Sequence, residues 1–376
     1  MGKRMTASPP MIGGYSYLRP LGSGGFADVY LYEQDMPRRI TAVKVLHADT
    51  FDAEALRTFN VEADTMARLS AHPSIVTIYH ASISADGRPY LVMEFCPDTM
   101  GARMKRGPLP IAEVLDAGVR LAGALETAHR AGFLHRDIKP SNVLVTTLGQ
   151  PVLADFGIAA ALNAEEGPEV FAMSVPWSSP EVLSERVSGS VPSEIWSLGA
   201  TLYTLLAGRS PFESPKREEN SRDALKARVI RAKYTPLPFA GVPPRVDEIL
   251  ATAMSKDPAR RYASMADFGE ALRWAQYELG IAPTALEVAA PEWAAAAPID
   301  FSDGRSRGPV VTTVNPDSRR AERTRKQLEG AAVDRDGLFV AAPKRSALGP
   351  AVIGALVGAV VVAAGTVAAL FATGVL

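Results

Sequence analysis

The chain has 376 residues, 47% of them hydrophobic, which suffices for a sizeable core and suggests two or three domains. A formal net charge of -1 leaves no excess of Lys and Arg to displace counterions from phosphates, so nucleic acid is set aside as a partner. The single cysteine, Cys96, excludes an intramolecular disulfide and a multi-cysteine zinc site, and fits a reducing compartment.

The N-terminus has no apolar run of the signal-peptide kind. Gly2 and Thr6 match the N-myristoylation pattern, which is short and common. From Tyr15, apolar and aromatic residues flank a glycine cluster, L-G-S-G-G-F-A-D-V, and read as strand, tight loop, strand. Such glycines let backbone amides approach phosphate oxygens, though a glycine hairpin without a ligand has the same sequence. Thr41 to Leu46 alternates as a strand whose one charged residue, Lys44, sits among apolar neighbours. A buried ammonium needs a partner, and the next segment offers carboxylates. It has helical periodicity, with Leu56, Phe59, Ala63, Met66 and Leu69 on one face and Glu54 and Glu62 among its charges. His72-Pro73 ends that helix. I-V-T-I-Y-H-A and P-Y-L-V-M-E-F-C then read as strands on either side of an Asp86-Gly87 turn, and Leu109 to Ala131 as a helix with Pro110 in its first turn. His47, His80 and His129 have no metal-ligand spacing and read as structural. Cys96 has no obvious basic neighbour and reads as an inert thiol.

The next stretch is H-R-D-I-K-P-S-N, residues 135–142. It places a carboxylate (Asp137), an ammonium (Lys139) and a carboxamide (Asn142) at offsets of zero, two and five. Phosphoryl transfer needs those groups together, to take a hydroxyl proton, to neutralise the migrating phosphoryl and to hold a metal ion. Eight consecutive residues carry the signal where three would not. The stretch resembles the catalytic loop of bacterial Hanks-type serine/threonine protein kinases, Lys139 marking the serine/threonine branch.

That resemblance runs from Tyr15 to Leu279 and implies an α+β, two-lobed protein kinase fold. The N-lobe is expected to be an antiparallel sheet plus one helix, and the C-lobe mostly helical. Leu21, Gly22, Ser23, Gly24, Gly25, Phe26, Ala27 and Val29 take the place of the nucleotide-binding loop, Ala27 standing where the family has a third glycine. Val29, Ala42 and Met93 would enclose the adenine, with the backbone of Glu94 to Cys96 as the hinge. Lys44 would grip the α- and β-phosphates of ATP and pair with Glu62. Asp137 and Lys139 would act at the transferred phosphoryl. Asn142 and Asp155, the latter in Asp-Phe-Gly, would hold Mg²⁺, with Phe156 beneath the N-lobe helix. Ser174 to Glu181, S-V-P-W-S-S-P-E, resembles the end of the activation segment, and Glu181 is expected to pair with Arg261. There are two further departures. Glu194 replaces the usual Asp, and its extra methylene is expected to loosen the bracing of the catalytic loop. The threonine usually found near Val175 is missing. In the loop from Ile158 to Met173, which has no Ser, Thr or Tyr, Glu165, Glu166 or Glu169 is expected to supply a fixed charge to Arg136. The alternatives are a solvated acidic loop or phosphorylation at Ser174.

From Gly280 the composition turns to Ala, Pro and Arg without periodicity, the signature of a disordered linker over residues 280–345. Ser346 to Leu376 contains no charged residue and exceeds the roughly 20 apolar residues that a transmembrane helix requires. Lys344 and Arg345 precede it, which places the catalytic part in the cytoplasm beneath the cell membrane. Gly354 and Gly358 form a small-xxx-small pair that allows a homodimer. The expected function is transfer of the ATP γ-phosphoryl to Ser or Thr of protein substrates. A membrane-anchored pseudokinase that binds nucleotide as a scaffold is the alternative.

Overall fold

The computed structural model describes residues 8–24, 27–47, 63, 66–107, 109–156, 174–237 and 242–289. Five antiparallel strands form the first sheet: β1 (Tyr15–Ser23), β2 (Ala27–Asp35), β3 (Arg38–Leu46), β4 (Ile78–Ile83) and β5 (Pro89–Glu94), in the order β1-β2-β3-β5-β4. Period-two alternation sorts their side chains to two faces. Tyr30, Tyr32, Val43, Val45, Tyr90 and Val92 bury one face with Ile12, while Ala42 and Met93 point to the other. Lys44 is the half-buried member of β3, opposite Leu91 of β5. The strand expected from Ile75 begins later, at Ile78. Ile75 instead bridges in parallel to Leu153, and Val76 donates its N–H to the Leu153 carbonyl at 3.0 Å, so the chain is already paired elsewhere.

Helices dominate the second lobe. Its elements are β6 (Asp98–Thr99), α1 (Met100–Arg106), α2 (Ile111–Arg130), β7 (Val143–Val145), β8 (Pro151–Leu153), α3 (Pro180–Leu183), α4 (Val191–Ala207), α5 (Arg222–Arg231), α6 (Pro244–Ala253) and α7 (Met265–Glu278). Strands β6, β7 and β8 form a small antiparallel sheet, and Gly149 turns β7 into β8 with a φ of 80°. The core is built on α2 and α4, whose Leu115, Leu121, Leu125, Ile195, Trp196, Leu198 and Leu202 are all buried. Each such large apolar side chain contributes about 1.5–3 kcal/mol by leaving water. A Ser190–Ser193 capping box starts α4, and Gly208, with φ 71°, ends it in the left-handed conformation that a Cβ disfavours. Helix α2 packs closely on its neighbours at Gly118, where a Cβ would lie 2.8 Å from Leu272 and 2.9 Å from Leu202.

The expected linker boundary at Gly280 is corrected. Gly280 closes α7, and residues 281–289 then run back along α2 and α7 instead of leaving the domain. Thr284 bonds Gln276 and Asp116, and the Glu287 carbonyl meets His72. Composition alone gave no sign of this, because the anchoring combines backbone hydrogen bonds and the Thr284 hydroxyl with just two apolar side chains, Ile281 and Leu286, packed on the core. Among the described residues no helix is long and apolar enough to cross a membrane. The span expected at 346–376, with Gly354 and Gly358, lies outside the described residues. So do the linker from residue 290, Gly2, Gly25, Phe26, Glu62 and the loop with Glu165, Glu166 and Glu169.

Candidate active site

Residues 135–142 fold as a loop ending in a 3₁₀ turn, Pro140–Asn142, directly before β7. His135 is fully buried and ties the start of the loop to the residue that follows β8. Its Nδ1 accepts the Asp137 N–H at 3.2 Å, and its Nε2–H donates to the Ala154 carbonyl at 2.9 Å. That pattern assigns the neutral tautomer. Burial, which disfavours the charged ring, also holds its pKa below the ordinary histidine value. The ring packs 4.6 Å from Phe156, which is buried in the same core cluster as Met66. Arg136 adopts a left-handed φ of 66° and Asp155 one of 63°. Strained backbone of this kind persists where the surroundings impose it, and it collects at functional sites.

Three groups converge on the Asp137 carboxylate. Lys139 Nζ lies 2.6 Å from Oδ2, Asn142 Nδ2 donates to Oδ2 at 3.1 Å, and Ser174 Oγ donates to Oδ1 at 2.8 Å. Lys139 also reaches Ser174 Oγ at 3.1 Å. The side chain of Asp137 therefore cannot rotate away, and both of its oxygens stay fixed for a substrate hydroxyl. The adjoining segment is tied to this loop by the Ala154 N–H, which donates to the Asn142 carbonyl at 3.0 Å, and there Lys44 Nζ pairs with Asp155 Oδ1 at 2.6 Å. Desolvation in the cleft works to raise the Asp155 pKa, and the Lys44 ammonium more than offsets it, so the carboxyl stays ionised below its usual range.

These residues fit a magnesium nucleotide. Asn142 donates through Nδ2 to the Asp137 carbonyl at 2.9 Å, and its amide oxygen, met by Ser141 Oγ at 3.4 Å, keeps a lone pair to serve as a ligand. Asp155 commits one oxygen to Lys44 and keeps the other. Two protein oxygens suit Mg²⁺, which retains water and takes phosphate oxygens, better than a cation needing a full protein cage. Among the described residues no group of three or more His, Cys, Asp or Glu offers such a cage. Above the metal ligands, Ala42, Val76, Met93, Val152 and Ala154 form one apolar cluster, with Leu21, Val29, Cys96 and Leu144 against it. It is apolar and includes Met93 near the end of β5, the kind of lining that a planar base requires.

The protein kinase domain model matches residues 15–272. The chain belongs to the protein kinase domain family. Relatives include the serine/threonine-protein kinase PknK of Mycobacterium bovis, 40% identical over 71% of this chain and 24% of that protein. PrkC of Bacillus subtilis is 35% identical over 71% of this chain and 40% of its own length. PknL of Mycobacterium tuberculosis is 33% identical over 76% and 69%. The chain thus spans about a quarter of the length of the mycobacterial PknK that it matches.

Within this kinase domain the structure brings together Lys44, Asp137, Lys139, Asn142 and Asp155 as expected. Leu21, Val29, Ala42, Met93 and Cys96 gather at the base-sized cluster, and Glu94 pairs with Thr41 and Thr77 at its edge. Gly22, Ser23 and Gly24 lead out of β1, and Gly24 N–H donates to the Ala27 carbonyl at 2.8 Å to close the hairpin. Ala27 is buried in β2. Burial and nearby Glu94 push the Cys96 thiol up to about 12, in keeping with an inert sulfur. Glu181 and Arg261 form the expected ion pair, at 2.6 and 2.8 Å.

Two expectations are corrected. The threonine near Val175 is absent, but Ser174 supplies the hydroxyl to Asp137 and Lys139. Glu194 does not loosen the loop. Its Oε1 accepts the Arg136 N–H at 2.6 Å, and its Oε2 meets His129 Nε2 at 2.7 Å in a buried pair. The extra methylene is taken up by reaching both groups. Leu144, Val152 and Ala154 were missed by sequence reading. The available signal was the V-L-V alternation, which buries Val143 and Val145 and turns Leu144 to the opposite face.

Proposed function

We propose that the chain is a serine/threonine protein kinase that moves the γ-phosphoryl of ATP, with Mg²⁺, to hydroxyls of protein substrates. The observation that carries this reading is the Asp137 carboxylate fixed by Lys139, Asn142 and Ser174, in a loop bonded through Asn142 to the residue before the Lys44-paired Asp155. Asp137 accepts the proton of the attacking hydroxyl, and Ser174 keeps the accepting oxygen aimed. Lys139 places positive charge beside that oxygen, where negative charge accumulates on the migrating group. Lys44 holds Asp155 and presents its ammonium to the nucleotide phosphates. Asn142 and Asp155 would hold magnesium, which would supply charge neutralisation for the nucleotide phosphates. The apolar cluster around Ala42 and Met93 seats the base.

The proposal extends to placement. The uncharged run Ser346 to Leu376 anchors the chain in the cell membrane with the kinase domain on the cytoplasmic side, and Gly354 with Gly358 supports a homodimer. The decisive assay is phosphate transfer from labelled ATP to a generic basic protein by the full chain, with Asp137→Asn as control. Transfer in the wild type and its loss, by the 10²- to 10⁴-fold typical of a general base, in the variant support the kinase. Nucleotide binding without transfer supports the scaffold alternative.

A further inference from the structure

Residues 281–289, which follow α7 after Leu279 and Gly280, lie beyond the segment matched by the family model and are fastened to the domain at several points. Gln276, fully buried, donates through Nε2 to Thr284 Oγ1 and accepts the Thr284 N–H, both at 2.9 Å. Thr284 Oγ1 donates to Asp116 at 2.7 Å, and Ala289 N–H donates to Thr127 Oγ1 at 3.1 Å. Two glycines make room. A Cβ on Gly123 would lie 2.1 Å from the Glu287 carbonyl oxygen, and one on Gly269 would lie 2.8 Å from Leu286. The backbone of the strap is therefore seated directly on the backbone of α2.

Its far end touches the catalytic cleft through one residue. His72 accepts the Ser74 N–H on Nδ1 at 3.0 Å, so Nε2 carries the proton and donates to the Glu287 carbonyl at 2.9 Å. The loop that His72 begins is paired to the end of β8. Leu153 N–H donates to the Ser74 carbonyl at 2.9 Å, and the Leu153 carbonyl accepts from Val76 at 3.0 Å. Two residues later stands Asp155. A set of hydrogen bonds thus runs from Glu287 through His72 and Ser74 to Leu153, and the backbone from Leu153 leads directly into the metal-binding triplet.

We propose that the strap Ile281–Ala289 is a positioning element of the kinase, setting Asp155 through His72. The inference rests on the kinase reading, and it makes the chain leading toward the apolar C-terminus part of the catalytic domain. Gly123→Ala is the direct test, in the full chain. Ala suits a helix better than Gly, so α2 is kept while the added methyl evicts the strap. His72→Ala cuts the link, and His72→Gln retains an N–H donor at the same reach.

Amide hydrogen exchange reads the strap at Thr284 and Ala289 and the cleft at Leu153 and Ala154, without nucleotide. In Gly123→Ala both regions are expected to exchange faster. In His72→Ala the cleft amides alone should do so, and His72→Gln should restore them. The magnesium concentration for half-maximal rate and the KM for ATP should rise about 2- to 10-fold in Gly123→Ala and His72→Ala, the range for one lost hydrogen bond, with the KM for protein substrate unchanged. A merely structural lesion lowers the active fraction and hence kcat, leaving these midpoints in place. Strap amides that open while Leu153 and Ala154 stay protected overturn the proposal. So does a His72→Ala protein with the wild-type magnesium midpoint and cleft exchange, which decides the matter if Gly123→Ala fails to fold. A wild-type chain without transferase activity refutes the kinase reading, and the exchange comparison still decides the strap.

Discussion

Ser174 shows how one hydroxyl completes a site whose charged members were already evident. Asp137 and Lys139 are two residues apart and meet by local geometry, whereas Ser174 arrives from 37 positions away and touches both. Without it Oδ1 loses its only described side-chain donor and the carboxylate gains a rotational freedom that transfer does not tolerate. Ser174→Ala is expected to lower kcat on the order of 10²-fold, as a misplacement of about 1 Å does, with Ser174→Thr restoring most of it. Steady-state kinetics at saturating ATP read the difference. Lys44→Met and Asp155→Asn are expected to abolish transfer while the thermal melt stays cooperative, since each removes charge from the cleft rather than packing from the core. A turnover in Asp155→Asn equal to the wild type would refute the assignment of the metal site.

The link between the S-P-E segment and α4 is the clearest case of an element held by charge. Arg261 is buried, reaches both oxygens of Glu181, donates to the Pro192 carbonyl at 2.8 Å and stacks over Trp196. Removing either partner strands the other, so Glu181→Gln or Arg261→Ala is expected to cost about 3–5 kcal/mol in urea unfolding. Desolvation raises the Glu181 pKa, but the Arg261 contact prevails and holds it below the ordinary value. Its stabilisation is thus fully present above the unfolded carboxylate pKa of about 4.3 and fades as pH falls through the lower folded value. The stability gap between wild type and Glu181→Gln should narrow over that acid window; a gap constant from pH 7 to 3 would refute the linkage. The strands were legible in the sequence, because a period of two is local information, and this pair, 80 positions apart, was legible only through the resemblance of the motifs that carry its two members. Leu144 beneath the base site, the Glu194–His129 pair and the strap were not. Each depends on which distant backbone comes alongside: Glu194 meets a residue 65 positions away and Glu287 one 215 away. A charged residue at a familiar place therefore identified the chemistry, but the side chains that hold it still had to be seen folded.

At the scale of the whole molecule, the proposed kinase activity requires an ordered activation loop. Kinases that carry an arginine before the catalytic aspartate commonly order the activation loop through a phosphate on it, yet residues 158–173 contain no Ser, Thr or Tyr. The first hydroxyl that follows is Ser174, and it is already committed to Asp137 and Lys139. A phosphate there would set nearly two negative charges against the Asp137 carboxylate and draw Lys139 away from it, which silences rather than activates. Ser178 donates to the Ser174 carbonyl and Ser179 is buried, so neither is presented for modification in this arrangement. Activity is accordingly expected not to depend on activation-loop phosphate. Full-length enzyme treated with phosphatase, and freed of it before assay, should keep its initial rate to within about twofold, far less than the 10³- to 10⁵-fold that supplying a missing charge achieves in phosphoryl transfer. Ser174→Asp should be inactive with its fold retained. If phosphatase silences the enzyme and phosphate maps to Ser174, the hydroxyl is a switch and not a brace, and the catalytic role assigned to it falls.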